Sequence, residues 1–421
     1  MSVATQSKQP VQTHQALMLL LLFVAGLVNF FDRASLSVAN TTVRAEMHLS
    51  ATQMGWLLSA FSLAYGFSQL PLLALLERVG PRRALGAGLA LWSAAQMMTG
   101  LVRGMATFIG LRVLLGTGEA PFYPCGMHIV REQFSDRTRA RATAFINTSQ
   151  TIAMAIAPPA LTIMMLRFGW RWMFSSLGIA GLIVAAVWMA QTREPTATTR
   201  DSRNIANAPA PDAWIGLLRH RTMWGMMLGW GGINYTVWLY TAWVPGYLEA
   251  SRHLDIAKSG WLAAIPFLFG ALGMALSGIV GDSLVRRGVR IAKVHRLSLV
   301  VGMILSAAGT FAVGHSQTTA MAIAGISAAL FFVHFAGTSG WGYAQTMGGS
   351  LYAAHVGALM NFASFMIASA APIVTGWLLD RTQSFTLALE LCSAITLLGA
   401  VSYATLARPP REGTLLGATP R

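Results

Sequence analysis

The stretch RVLLGTGEAP, residues 112–121, sets how the rest of the chain must fold. It lies in an apolar segment, 106–130, long enough to cross a bilayer core of about 30 Å, and yet it holds Arg112 and Glu119. A charge at mid-bilayer costs roughly 2.5–3.5 kcal/mol on the most lenient scale, so it persists only where it faces a protein interior or water. Seven residues of helix turn through about 700°, within about 20° of two full turns, and rise about 10.5 Å. Arg112 and Glu119 therefore look into one cavity at different depths. A second charged pair, Asp32 and Arg33, sits late in the first apolar segment. These two are adjacent, about 100° apart on a helix, so one faces the cavity while the other reaches across to the segment of Arg112.

Composition places the whole chain in the same class. Of 421 residues 54% are hydrophobic and 11% charged, against roughly 25% charged in a soluble domain. Twelve apolar stretches fall near 17–40, 54–76, 83–102, 106–130, 140–166, 172–191, 223–248, 258–280, 295–314, 319–345, 356–379 and 385–407. The first lacks a small-residue cleavage site and carries Asp32-Arg33, so it reads as a retained span and not a signal peptide. The net charge of +15 would suit nucleic acid, but its placement argues otherwise. With the amino terminus inside, 21 Lys/Arg fall in cytoplasmic segments, 7 in external ones and 2 within spans, the positive-inside bias of a membrane protein. No nucleic-acid partner is implied; the bilayer is the partner.

The longest polar interruption, Thr192 to Arg221, is basic and carries several Pro and Ala, and it divides the spans six and six. The expected organisation is a cytoplasmic tail at 1–16, a six-helix bundle at 17–191, a linker at 192–221, a second bundle at 222–407 and a cytoplasmic tail at 408–421. An internal repeat supports the split. ATAFINTSQTIAMAIAPP (142–159) aligns with GALMNFASFMIASAAPI (357–373), pairing Ala144 with Ala358, Asn147 with Asn361, Ala157 with Ala371 and Pro158 with Pro372, and further on Arg167 with Arg381. The partners are the fifth span of each half. Two parallel halves of this kind bind substrate between them at mid-membrane.

Several function classes are excluded or unsupported. Gly116 and Gly118 have no strand before them and form no dinucleotide loop, and HExxH, GxSxG and GxxxxGK[ST] are absent from the sequence, so neither a hydrolase nor an ATP-driven pump is indicated. Cys125 and Cys392 both lie in apolar segments and suggest neither a disulfide framework nor a metal site. No cofactor is expected.

In these features the chain resembles the major facilitator superfamily, and within it the anion:cation symporters that include bacterial sugar-acid and aromatic-acid permeases and sialin-type carriers. The matching stretches are NFFDRASLSVA (29–39), ERVGPRR (77–83), RVLLGTGEAPFYP (112–124), RARATAFINTSQ (139–150), FGWRWMF (168–174), WVPGYL (243–248) and NFASF (361–365). The resemblance implies an all-α membrane protein of twelve transmembrane helices in two six-helix bundles, working as a monomer in a bacterial inner membrane with both termini cytoplasmic. It implies a non-enzymatic, proton-coupled importer of a small organic carboxylate. Carried over by position, Asp32 and Glu119 are the proton sites; Arg33 and Arg112 are the charge partners; Tyr65, Gln150, Trp341 and Asn361 line the substrate cavity. Glu77, Arg78, Arg82 and Arg83 match the cytoplasmic gate motif, with Asp282 in a weaker copy.

The residues themselves suit those roles. Guanidinium binds carboxylate bidentately and keeps its charge, while Gln150 and Asn361 offer neutral donors and acceptors for hydroxyl groups. Phe30 and Phe365 stand where sugar-acid members carry more polar residues, which keeps an aromatic acid as the alternative substrate. A drug/proton antiporter shares the fold but would not want two cavity arginines. A ligand sensor would need an output domain for which the tails leave no room. His128 and His334, in spans 4 and 10, are expected as interhelical hydrogen-bond partners, and Glu390 as a solvated group.

Overall fold

The computed structural model describes residues 8–192 and 213–408, with a few side chains inside helices, Glu77 among them, left out. Among the described residues the regular structure is entirely helical. The first half holds α1 (Lys8–Val38), α2 (Asn40–Glu46), α3 (Ala51–Val79), α4 (Pro81–Thr99), α5 (Met105–Glu119), α6 (Phe122–Gln133) and α7 (Asp136–Gln191). After α8 (Ala213–Leu218) come α9 (Arg221–Arg252), α10 (Ile256–Arg286), α11 (Ile291–Gly314), α12 (Thr319–Ala368), α13 (Ala370–Thr382) and α14 (Thr386–Thr405).

Seven helical segments among the described residues are long and apolar enough to cross a membrane, one of them being nearly all of α7. The other expected spans correspond to α3, α4, α5 with α6, and α9. Large apolar side chains such as Leu101, Trp172, Ile183, Ile279 and Leu398 are more than half exposed around the helices, an arrangement that lipid tolerates and water does not.

Four boundaries differ from the sequence reading, each for a local reason. The helix of span 1 starts at Lys8, inside the stretch expected as a tail, and Gln15 Nε2 donates to Gln133 O at 2.6 Å. Span 4 is two helices, because Pro121 lacks the N–H that Thr117 O needs and its ring crowds the preceding turn. Spans 5 and 6 share one helical run whose single break is Gly169, at φ 80° and ψ 160°, a backbone conformation that only glycine adopts readily. Spans 10 and 11 meet in the same way at Gly349, and span 11 is then interrupted at Ser369, just ahead of Pro372. Of the linker, 193–212 lies outside the described residues, and α8 occupies its end.

The repeat extends further in the structure than in the sequence. Asn147 and Asn361 set an offset of 214 residues. At that offset the Gly169 break corresponds to Gln383, which caps α13 at φ 54°, and the first residue of α7, Asp136, corresponds to the position after the Gly349 break.

Two compact units result, Met1–Thr42 with Leu63–Thr196, and Val43–Ser62 with Ala197–Arg421. In the first, α1 and α4 pack on α7, and α4 packs on α5. Its core includes Trp92, Phe108, Phe174 and Trp188, with Phe108 stacked on Trp170 at 6.5 Å. In the second, α12 packs on α9, α10 and α11, and α14 on α9 and α11, around Trp243, Tyr343 and Tyr403.

Candidate functional site

The first unit gathers four charged side chains in its interior. Asp32 and Glu119 are fully buried, Arg112 is 2% exposed, and the Arg33 side chain 14%. Arg33 leaves α1 toward α5, where its Nε donates to Glu119 Oε2 at 2.8 Å. Asp32, one residue earlier, turns instead toward α4, as the 100° step between neighbours requires. The charges of Arg112 and Glu119 both act on Asp32, so the two pairs form one electrostatic cluster.

Aromatic rings fix Arg33 from two sides. Its guanidinium carbon lies 5.1 Å from the Phe30 ring centre and 5.0 Å from that of Tyr65, both within cation–π range. Phe30, which the sequence set among the departures from a sugar-acid pattern, thus has a partner in its own chain. Tyr123 faces Arg33 as well, and its hydroxyl donates to Gln150 Oε1 at 2.8 Å. Tyr65 and Gln150 are therefore connected to the charged cluster. Trp341 and Asn361 belong to the second unit: Trp341 is 45% exposed and meets Trp230 edge-on at 5.8 Å, and Asn361 O accepts from Ser364 Oγ at 2.7 Å. Phe365 packs edge-on against Trp238, 6.1 Å between ring centres.

The expected gate residues divide. Gly80 holds φ 87°, open only to glycine without strain, and Pro81 then starts α4 at the position where proline's missing N–H costs nothing. That turn buries Arg82, whose Nη2 stands 3.8 Å from Glu132 Oε2 and whose carbonyl accepts from Trp188 Nε1 at 3.0 Å. Arg78 and Arg83 are exposed, Asp282 is exposed near the end of α10, and the Glu77 side chain lies outside those described. His128 is not an interhelical partner: it is exposed on α6 and contacts Glu132 of the same helix at 3.1 Å. Glu390 is not simply solvated, since His315 Nε2 lies 3.4 Å from its Oε1.

Sequence reasoning missed Asn29, Trp92, Tyr123 and Glu132. Asn29 is fully buried with its amide toward Glu119, one turn before Arg33. Tyr123 stands inside the quoted GEAPFYP run and could have been found there. Nothing marks Trp92 in a chain with 13 tryptophans, and Glu132 lies 50 positions from its partner Arg82.

Residues 22–372 match the Major Facilitator Superfamily. The chain belongs to that family. It is accordingly a multi-pass membrane transporter and not an enzyme. A probable L-galactonate transporter of Escherichia coli K12 is 45% identical over 416 residues, 96% of this chain and 92% of that protein. A probable galactarate/D-glucarate transporter of the same strain, GarP, is 29% identical over 94% of this chain and 95% of its own. Among solved structures, an inward-facing, occupied bacterial homologue of the human lysosomal transporter Spinster superposes with a TM-score of 0.78 at 17% identity, over 94% of this chain and 97% of that one. At that identity the last comparison speaks for the fold alone.

Proposed function

We propose that this superfamily member imports a sugar acid, of which L-galactonate is the first candidate, together with protons, across a bacterial inner membrane by alternating access. The observation that carries the reading is the buried cluster of Asp32, Arg33, Arg112 and Glu119. Two carboxylates and two guanidiniums in a membrane-spanning bundle are expensive unless they carry charge through it. Arg112 meets the substrate carboxylate, because guanidinium stays charged and offers paired donors. Glu119 takes a proton when Arg33 is drawn away, and Asp32 supplies the second proton site. Within the first unit, the hydroxyls of the sugar acid meet Gln150, and Tyr65 offers a ring face. Both termini are cytoplasmic on the distribution of Lys and Arg, and the functional unit is one chain.

The kinship to a galactonate carrier supports the substrate class. The aromatic-acid alternative loses ground because Phe30 and Phe365, its main support, have partners in Arg33 and Trp238. The test is uptake of labelled L-galactonate into proteoliposomes under an imposed inward proton gradient, with galactarate, a hexuronate and phthalate as competitors. Accumulation above the outside concentration, abolished by a protonophore and competed by the sugar acids, is the expected result. Competition by phthalate alone would transfer the assignment to aromatic acids.

A further inference from the structure

Both carboxylate oxygens of Asp32 are buried without a hydrogen bond, and so is the indole Nε1 of Trp92 on α4. The two groups face each other. Their juxtaposition is built by close helix contact at small residues. A Cβ added to Gly118 would stand 2.7 Å from Trp92 N and 2.9 Å from Trp92 Cβ, and one added to Gly88 would stand 2.6 Å from Gly118 O. So α4 lies against α5 one residue from Glu119, with Trp92 fully buried and its ring edge-on to Phe122 at 6.3 Å. One turn on, Gln96 Nε2 donates to Ser35 Oγ at 3.1 Å, and Ser35 Oγ donates to the Asp32 carbonyl at 2.7 Å. Gly88, Trp92 and Gln96, four residues apart in turn, share one face of α4, which meets α5 at Gly88 and reaches Ser35 of α1 through Gln96.

We propose that Trp92 is a positioning residue of the proton site, its indole N–H holding the ionised Asp32 carboxylate and releasing it when Asp32 takes up a proton. This rests on the reading of Asp32 as a proton carrier. The chemistry is one-directional: indole is a donor only, and an ionised carboxylate an acceptor only, so their bond is strongest in the charged state. The other groups acting most strongly on Asp32 are Arg33 on its own helix and Arg112 and Glu119 on α5, and Tyr123 of α6 faces Arg33. Arg33 is engaged with Glu119, and the proposed cycle gives Arg112 to the substrate. Trp92 is then the donor left to Asp32 whenever its carboxylate is ionised.

The experiment compares Trp92→Phe, which keeps a ring and loses the donor, with Trp92→Gln, which loses the ring and keeps an N–H, each with and without Asp32→Asn. Melting of the purified protein from pH 5.5 to 9 needs no substrate. W92F should lower Tm by about 3 °C more at the alkaline end than at the acid end, W92Q equally at both, and W92F should lose its pH dependence on the D32N background. In proteoliposomes, the pH of half-maximal L-galactonate uptake should move by about one unit for W92F and stay in place for W92Q. Equal loss of Tm at all pH values, or a pH dependence of W92F that survives in D32N, overturns the assignment and leaves Trp92 as packing. A wild type that takes up no sugar acid sinks the transport reading, while the melting curves still decide the role of Trp92.

Discussion

The Arg33–Glu119 contact shows how a single pair constrains the rest of the site. Glu119 is fully buried at the C-terminal end of α5, where the helix dipole opposes a negative charge, and the 2.8 Å bond from Arg33 offsets that. Removing one member of a buried pair leaves the other uncompensated, at about 3–5 kcal/mol, whereas removing both charges can approach neutrality. Arg33→Ala should therefore melt several degrees below wild type, and Arg33→Ala with Glu119→Gln should recover most of the loss. Double-mutant melting checks this, and a double variant no more stable than the single would mean that the pair is not coupled. The charged residues of the site were legible in the sequence because their presence in an apolar span has to be explained. Asn29 and Trp92 were not, because neutral polar and aromatic groups are common in spans and only geometry shows what they face.

Helices add constraints that periodicity does not carry. At the start of α3, Ser50 and Gln53 form a reciprocal cap, Ser50 N donating to Gln53 Oε1 at 2.8 Å and Gln53 N to Ser50 Oγ at 3.1 Å. The remaining first-turn amides, Ala51 and Thr52, both donate to the Asp380 carboxylate of α13 at 2.8 Å, and the Thr52 hydroxyl adds a bond of 2.6 Å. A cap from 328 positions away has no local sequence signal. Asp380→Ala should cost about 1–2 kcal/mol, read as a fall in Tm, and Asp380→Asn less, since its carbonyl oxygen still accepts; no change in either would show that water replaces the carboxylate without loss. Gly118→Ala tests a different contact. Its Cβ would stand 2.7 Å from the Trp92 backbone nitrogen, so α4 and α5 must separate, and a loss of about 1–3 kcal/mol with impaired uptake is expected. The spans themselves were legible from length and apolarity. The gaps 167–171 and 346–355 between them, which hold Gly169 and Gly349, were legible as well; that each gap shrinks to a single glycine at positive φ was not, since only the backbone shows it.

At the scale of the molecule, the repeat was legible from a handful of matched residues, and the structure extends it to the ends of the matched helices, 136–168 and 350–382. The charges do not repeat with it: the counterparts of Arg112 and Glu119 at the same offset are Ile326 and Val333, so the charged cluster belongs to the first unit alone. The groups proposed for proton and for anion thus sit in one bundle, and the proposed coupling follows from that asymmetry. An anion entering a cell against an inside-negative potential meets about 2.3 kcal/mol per elementary charge per 100 mV, which a co-transported proton cancels. Glu119→Gln fixes the proposed proton site in its neutral form and frees Arg33 from its ion pair. Exchange of substrate without net proton movement needs only the binding site and the conformational change, so counterflow of L-galactonate should persist within a few-fold of wild type. Accumulation driven by the proton gradient needs a group that gains and loses a proton, and it should be lost. Both are measured in the same proteoliposomes, by labelled substrate against an unlabelled internal pool and against a pH gradient. Uphill accumulation that survives in the variant would remove Glu119 from the coupling and leave Asp32 to carry it. Loss of counterflow together with accumulation would show instead that the Arg33–Glu119 pair is needed for binding or for the conformational step itself.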